Sequence, residues 1–340
     1  MASGKAADIN ASLTMFRCSI DTTATRNQAR TDMIAKAVKK TIRIAIGLVC
    51  SLSFATSSVA QDVPAKKLFG AATLPAMMPA QPAGFYSKGC LAGGVAIPVD
   101  GPAWQVMRLS RNRNWGHPDL IKTVEQLALD GKKVGWNGLL VGDISQPRGG
   151  PMLTGHASHQ IGLDADVWLT PMPNRKLTRD ERENLSATSM LKGDSLYVDP
   201  DIWTPGQAAI IKTAASYPQV ERILVHPGIK KKLCDTVKGD RAWLSKVRPY
   251  WGHNYHFHMR IKCPAGAIGC KGQEPVAKGD GCGEALAWWF TDEPWRKPNK
   301  TDKPPVKKNP VTLKDLPPVC AQVLKAAAPA SAAEVTLGLQ

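Results

Sequence analysis

Two stretches of the chain alternate between apolar and polar residues. In 161–169, Ile161, Leu163, Ala165, Val167 and Leu169 fall on one side, with Asp164, Asp166 and Trp168 on the other. In 254–261, Tyr255, Phe257, Met259 and Ile261 share a side, opposite His256, His258 and Arg260. A period of two is that of a strand, so both stretches are predicted as strands, the second half-buried with its apolar face on a core. Apolar runs at 103–109, 138–144 and 221–226 predict three more. Residues 117–131 place Leu120, Ile121, Val124, Leu127 and Leu129 behind Pro118, which predicts a helix. Thr178 followed by Glu181, and Thr204-Pro205 followed by Gln207, are capping boxes that open two further helices, the second running through 208–216. A short helix is expected from Asp240.

The ends of the chain read differently. Before Gln61 lies a basic stretch, then an apolar run from about Ile42 to Ala55, then Ser58-Val59-Ala60. That is the layout of a secretory signal, so residues 1–60 are expected to be removed, with Met33 an alternative start. The run is too short and too rich in serine for an integral membrane span, and Val49 before Cys50 is bulkier than a lipoprotein signal usually allows. Residues 61–88, rich in Pro, Ala and Gly, predict an irregular lead-in to a domain spanning 61–292. Residues 293–340 are rich in Pro and Lys and predict an extended tail without a core of its own, its last twenty residues disordered and Cys320 tying it back.

Loss of residues 1–60 changes two quantities. Eight of the 44 Lys and Arg and three of the 28 Asp and Glu go, lowering the net charge from +16 to +11. A basic exported protein suits nucleic acid, an anionic membrane face or an acidic wall polymer, and charge alone does not choose among them. Six of eight cysteines remain, an even number that points to disulfides in an exported chain. The C-x6-C and C-x11-C spacings do not match a zinc finger.

Histidine supplies the candidate chemistry. Five of the seven lie in "GHASHQIGLDADVW" (155–168) and "WGHNYHFHMR" (251–260). On a strand, His256 and His258 stand about 7 Å apart on one face, so that one can bind a metal while its neighbour reaches a bound water. His159 lies in a loop before the Asp166 strand, and Gly162 between them lets the backbone bend. Imidazole nitrogen and carboxylate oxygen suit zinc, which leaves one position for water and brings that water's pKa near neutrality. A hydrolase fits this inventory. A periplasmic nuclease and a non-catalytic, metal-dependent wall-binding protein are the alternatives.

The two windows together resemble the penicillin-insensitive murein endopeptidases, within a wider group of zinc peptidases that includes lysostaphin-type enzymes and D-Ala-D-Ala dipeptidases and is related in fold to hedgehog proteins. "NWGHPDL", "KKLC", "WLSKVRP" and "GDGCG" extend the resemblance over roughly 85–322. It implies an α+β fold with an antiparallel sheet carrying the zinc site and helices around it. It implies His159, Asp166 and His258 as zinc ligands, His156 as a further metal residue, His256 as general base or transition-state stabiliser, and His253 as a polar residue organising the site. Asp164 would orient a ligand imidazole. A second metal position of this family needs a histidine where Tyr197 follows Asp194, so one zinc is expected. The implied disulfides are Cys90–Cys320, Cys234–Cys282 and Cys263–Cys270. The implied activity is cleavage of D-alanyl–meso-diaminopimelyl cross-links in periplasmic peptidoglycan, without an active-site serine for β-lactams to acylate. Peptidoglycan is thus the expected partner, nucleic acid is not, and assembly as a homodimer is left open. His117 and His226 fit no metal role and are expected to be structural.

Overall fold

The computed structural model describes residues 63–297 and 309–337. The signal expected in 1–60 lies outside them. Helix α1 (Ala65–Gly70) leads into a hairpin of β1 (Gln81–Phe85) and β2 (Lys88–Ala92). Short strands β3 (Val95–Ala96), β4 (Asp100–Gly101), β5 (Trp104–Val106) and β6 (Trp115–Gly116) precede helix α2 (Pro118–Lys133). Then come β7 (Leu139–Val141), β8 (Asp164–Trp168), α3 (Arg179–Asn184), α4 (Pro205–Ser216), β9 (Val220–Val225), α5 (Pro227–Thr236), β10 (Val247–Pro249) and β11 (His256–Ile261). Helices α6 (Glu284–Ala287) and α7 (Val319–Lys325) follow. The fold is α+β.

Seven strands form the main sheet in the order β10-β9-β11-β8-β7-β5-β4. It is mixed where an antiparallel sheet was expected: β9, β11, β8 and β7 pair antiparallel, but β10 runs parallel to β9, and β5 parallel to β7. Parallel neighbours need a crossover, and here α5 and α2 supply it. Both crossover helices begin at a His-Pro step. His117 Nδ1 accepts the Asp119 amide at 3.2 Å and His226 Nδ1 accepts the Gly228 amide at 3.1 Å. The two histidines expected to be structural are N-caps, a task usually given to Ser, Thr, Asp or Asn. The capping boxes at Thr178 and Thr204 form as expected, and the segment after Asp240 is a 3-10 turn, Ala242–Lys246.

The core lies on one face of the sheet. Ala165 and Val167 of β8 and Phe257, Met259 and Ile261 of β11 bury against Leu120, Ile121, Val124 and Leu127 of α2 and Ile210 and Ile211 of α4. Burying each large apolar side chain contributes roughly 1.5–3 kcal/mol. The opposite face is buried as well, which corrects the half-buried expectation for β11: His256, His258 and Arg260 are all under 8% exposed. The loop 142–163 and the β1–β2 hairpin cover it. Arg260 lies 4.0 Å over the Tyr86 ring at the hairpin turn, while the Tyr86 hydroxyl donates to the Ile261 carbonyl at 2.9 Å.

Residues 63–92 and 311–325 are not the lead-in and extended tail that composition predicts. Ala65, Phe69, Ala76, Ala83, Cys90 and Ala92 form a small second core with Leu316, Cys320 and Val323. Cys90–Cys320 staples the two together, and Cys234–Cys282 and Cys263–Cys270 complete the three expected bridges. Nor do the final residues lack order throughout: Ala332–Val335 is a 3-10 turn, and the Leu337 amide donates to the Ala96 carbonyl at 3.0 Å.

Candidate metal centre

The two histidine windows meet because β8 and β11 are neighbours in register. His258 pairs with Asp166, Arg260 with Asp164 and His256 with Trp168. Residues directly opposite each other point to the same face, so the Asp-x-Asp and His-x-His-x-Arg side chains interleave. The loop 142–163 then brings His159 over them. Its φ is 66°, with Gly162 at 68°, and the left-handed region disfavours side chains larger than glycine. The strained turn is held from several sides. The His159 amide donates to Asp164 Oδ2 at 2.9 Å, and Ser145 Oγ donates to its carbonyl at 2.6 Å. Nδ1 of the ring lies against the Ile144 carbonyl.

That last contact fixes the tautomer. A carbonyl accepts only, so the proton sits on Nδ1 and Nε2 turns a lone pair inward. Nε2 lies 3.1 Å from His258 Nδ1 and 3.4 Å from Asp166 Oδ1, and the latter two are 3.3 Å apart. On its other side, His258 Nε2 is 3.1 Å from Asp164 Oδ1. Asp166 Oδ1 is buried without a hydrogen-bond partner. Two imidazole nitrogens and an orphaned carboxylate oxygen thus converge in a buried space, and this donor set fits a divalent cation of zinc's preferences. His156 belongs to the same group. The ligand atoms of His156, His159 and Asp166 lie within 4.8 Å of one another. His156 Nε2 stands between Asp143 Oδ2 at 3.0 Å and Asp166 Oδ2 at 3.6 Å.

Of the two remaining candidates, His256 is 7% exposed. Its Nε2 lies 3.6 Å from Asp166 Oδ2, and its Nδ1 has no hydrogen-bond partner. His253 has φ 56°, and its ring is 4.8 Å from that of His256 and 5.9 Å from that of His258. Burial, with positive charge at His256 and His258 adding to it, pushes the His253 pKa down to about 4. Burial also lowers His256, against the pull of Asp166. Asp164 and Asp166 both stay well below the usual carboxylate range. Burial opposes this, but Arg260 and His258 outweigh it at Asp164, and His256 and His159 at Asp166.

Asp194 and Tyr197 lie elsewhere. Asp194 is exposed, and Tyr197 stacks on Phe290 at 5.5 Å in a pocket shared with Cys234 and Cys282.

Sequence reasoning missed Asp143. It is 4% exposed and accepts from Arg111 at 3.0 Å, Arg113 at 2.8 Å and His156. Burial works against its charge, yet His156 and Arg113 hold its pKa at about 2. The available signal was an aspartate closing the apolar run "LLVGD", where a buried carboxylate demands partners. A cavity of about 230 Å³, lined in part by Arg108, Arg111, Asp143, Asp166 and Trp168, opens beside the centre. A wider groove of about 560 Å³ shares Arg111, Asp143, His156, Tyr255 and His256 with it and adds Arg113, Trp251 and His253.

Comparison with known proteins bears on this cleft. A family model described as penicillin-insensitive murein endopeptidase matches residues 82–325. Three curated proteins of that name are similar to the chain. The Haemophilus influenzae protein is 46% identical over 67% of this chain and 78% of its own length. Those of Klebsiella pneumoniae subsp. pneumoniae and Yersinia enterocolitica are 42% and 38% identical, each over 72% of this chain and 86% and 85% of their own lengths.

Proposed function

The chain belongs to the penicillin-insensitive murein endopeptidase family, and from that premise we propose that it is a zinc metalloendopeptidase cutting D-alanyl–meso-diaminopimelyl cross-links of peptidoglycan in the periplasm. One observation carries the metal part of the reading: His159 Nε2, His258 Nδ1 and the orphaned Asp166 Oδ1 lie within 3.4 Å of one another in a buried cluster. These three would hold the ion, with His156 at its edge. Zinc there supplies a Lewis acid that polarises the scissile carbonyl and lowers the pKa of the attacking water.

The chain's own residues do the rest. Asp164 sets a carboxylate oxygen 3.1 Å from His258 Nε2, an electrostatic pull on that ring, and holds the strained His159 turn through the His159 amide. His256 faces Asp166 Oδ2 from the cleft side. A buried imidazole so placed can take a proton from water or stabilise charge growing on the carbonyl oxygen. His253, seated against His256 and fixed by its Nδ1 on the Trp251 carbonyl at 2.8 Å, limits the ways that ring can turn. The cavity and groove that meet at Asp143, His156 and His256 offer room for the two arms of a cross-link. No serine enters this scheme, so β-lactams have nothing to acylate. Removal of residues 1–60 on export and a single tightly held zinc belong to the same reading. Tyr197 is a poor ligand when protonated, and it is turned onto Phe290.

Incubating the zinc-loaded protein with intact peptidoglycan and weighing the products tests the reading. Cross-linked muropeptide dimers should become monomers in the presence of penicillin, and dimers left intact would sink it.

A further inference from the structure

An aromatic ledge continues the cleft beyond the histidines. Trp251 lines the wider groove beside His253 and His256. Trp289 packs against it at 4.6 Å, Tyr250 at 5.4 Å and Trp288 at 6.5 Å. Trp289 is buried and serves as the base, while Trp251, Trp288 and Tyr250 are 45, 37 and 46% exposed. Contiguous exposed aromatics of this kind mark an interaction surface.

The indole N–H groups around the ledge are already engaged. The indole N–H of Trp251 donates to the Pro294 carbonyl at 3.0 Å, that of Trp288 to Glu293 at 3.0 Å, and that of Trp295 to the Trp289 carbonyl at 2.7 Å. The Cys234–Cys282 bridge anchors the segment just before α6. What the two exposed indoles leave for a ligand is therefore ring carbon. Trp288 and Tyr250 stand at 85° and 81° to Trp251, so the surface is a set of facets and not a flat apolar plane.

Ring faces carry negative charge density and attract weakly positive C–H groups. A pyranose ring presents such C–H groups on one face while its hydroxyls point outward to water. An anionic membrane surface suits the ledge poorly, because the segment that carries Trp288 and Trp289 also carries Glu284, Asp292 and Glu293, and its basic residues, Arg296 and Lys297, come only after Trp295. We propose that Tyr250, Trp251 and Trp288 form a subsite for the glycan strand, seating a sugar ring beside the groove that takes the peptide. This rests on the reading of the cleft as a peptidoglycan peptidase, and it names a part of the substrate that the cutting chemistry does not require.

Two measurements on the full, zinc-loaded protein test it. The first is binding to glycan strands stripped of their stem peptides. Trp288→Ala should weaken it roughly 3- to 10-fold, the worth of one aromatic stacking contact, and Trp288→Phe, which keeps a ring face, should restore most of it. The second is cleavage: Trp288→Ala should raise KM for glycan-bearing cross-linked fragments by a similar factor and leave a sugar-free cross-linked peptide dimer unaffected. Trp288→Leu, which keeps apolar bulk without a ring face, provides a second variant should Trp288→Ala fold poorly. Unchanged glycan binding in the folded variants overturns the proposal. So does an equal effect on the sugar-free dimer, or Trp288-dependent binding to anionic phospholipid vesicles without binding to glycan. Trp288-dependent glycan binding by a protein that cuts neither substrate would overturn the peptidase reading and leave the ledge standing.

Discussion

Asp164 and Asp166 sit two residues apart on β8, face the same side and are both buried, yet their surroundings differ. Asp164 is saturated: Arg260 Nε and Nη2 donate to its two oxygens at 2.6 and 3.1 Å, and the His159 amide adds a third bond. Asp166 faces imidazoles, and its Oδ1 accepts no hydrogen bond. The same strand pair thus builds one closed charge pair and, one step along the ladder, one site left open for positive charge. Depth alone does not tell a structural carboxylate from a working one, whereas the count of committed hydrogen bonds does.

The largest effects should come from the open side. His258→Ala or Asp166→Asn should abolish tight zinc binding and bring cleavage to background, as read by metal analysis and muropeptide mass. Metal-free Asp166→Asn should lose less stability than the same change at Asp164, because the imidazoles that face it can shed their protons and leave no buried cation unpaired. The closed side has no such escape. Asp164→Asn leaves the Arg260 guanidinium buried without its counter-charge, so the metal-free fold should lose about 3–5 kcal/mol in denaturant unfolding. Equal stability losses at the two aspartates would break the comparison.

A smaller effect separates the two histidines of β11. His256→Ala leaves His159, Asp166 and His258 in place, so zinc should stay while turnover falls by on the order of 10²-fold. Loss of zinc, or near-normal turnover, would show that the roles within the strand are assigned wrongly.

The smallest concerns a histidine whose lone pair is committed. Burial pushes the His226 pKa down to about 4, and its Nδ1 caps α5. Between an unfolded value of about 6.5 and the folded value of about 4, the unfolded chain binds more protons. Stability from this group is therefore present above that window and falls as pH drops through it. Relative to His226→Asn, which keeps a cap, the parent should lose roughly 1–2 kcal/mol more between pH 6.5 and 4. Parallel melting curves for the two proteins would contradict this.

What the sequence made legible follows from the range of the forces involved. Alternation in 161–169 and 254–261 and the boxes at Thr178 and Thr204 are local, and they were read directly. Both windows therefore yielded His156, His159, Asp166, His256 and His258, which the structure brings together. Asp143 was missed because its arginine partners lie about thirty residues earlier, in a segment without periodicity. The caps at His117 and His226 were hidden by residue type. The apolar residues of 65–92 looked too sparse for a core because a third of that core lies beyond residue 315. The parallel edges of the sheet depend on pairing partners, which periodicity does not specify.

Arg148 gives that long-range closure a temporal side. Its guanidinium is 7% exposed and donates to the carbonyls of Leu74, Val323 and Leu324 at 3.1, 2.6 and 2.9 Å. It belongs to the same loop as His156 and His159. Leu324 lies 176 residues downstream, so at about 5–20 residues per second the arginine is made roughly 10–35 seconds before its last partner exists. Wherever the chain folds, these acceptors arrive well after the loop that they hold. A copy that stops short of Val319 keeps every histidine and aspartate of the centre, yet strips a buried cation at the root of their loop of two of its acceptors. Incomplete copies should consequently be removed as unfolded chains before they can act as poor enzymes.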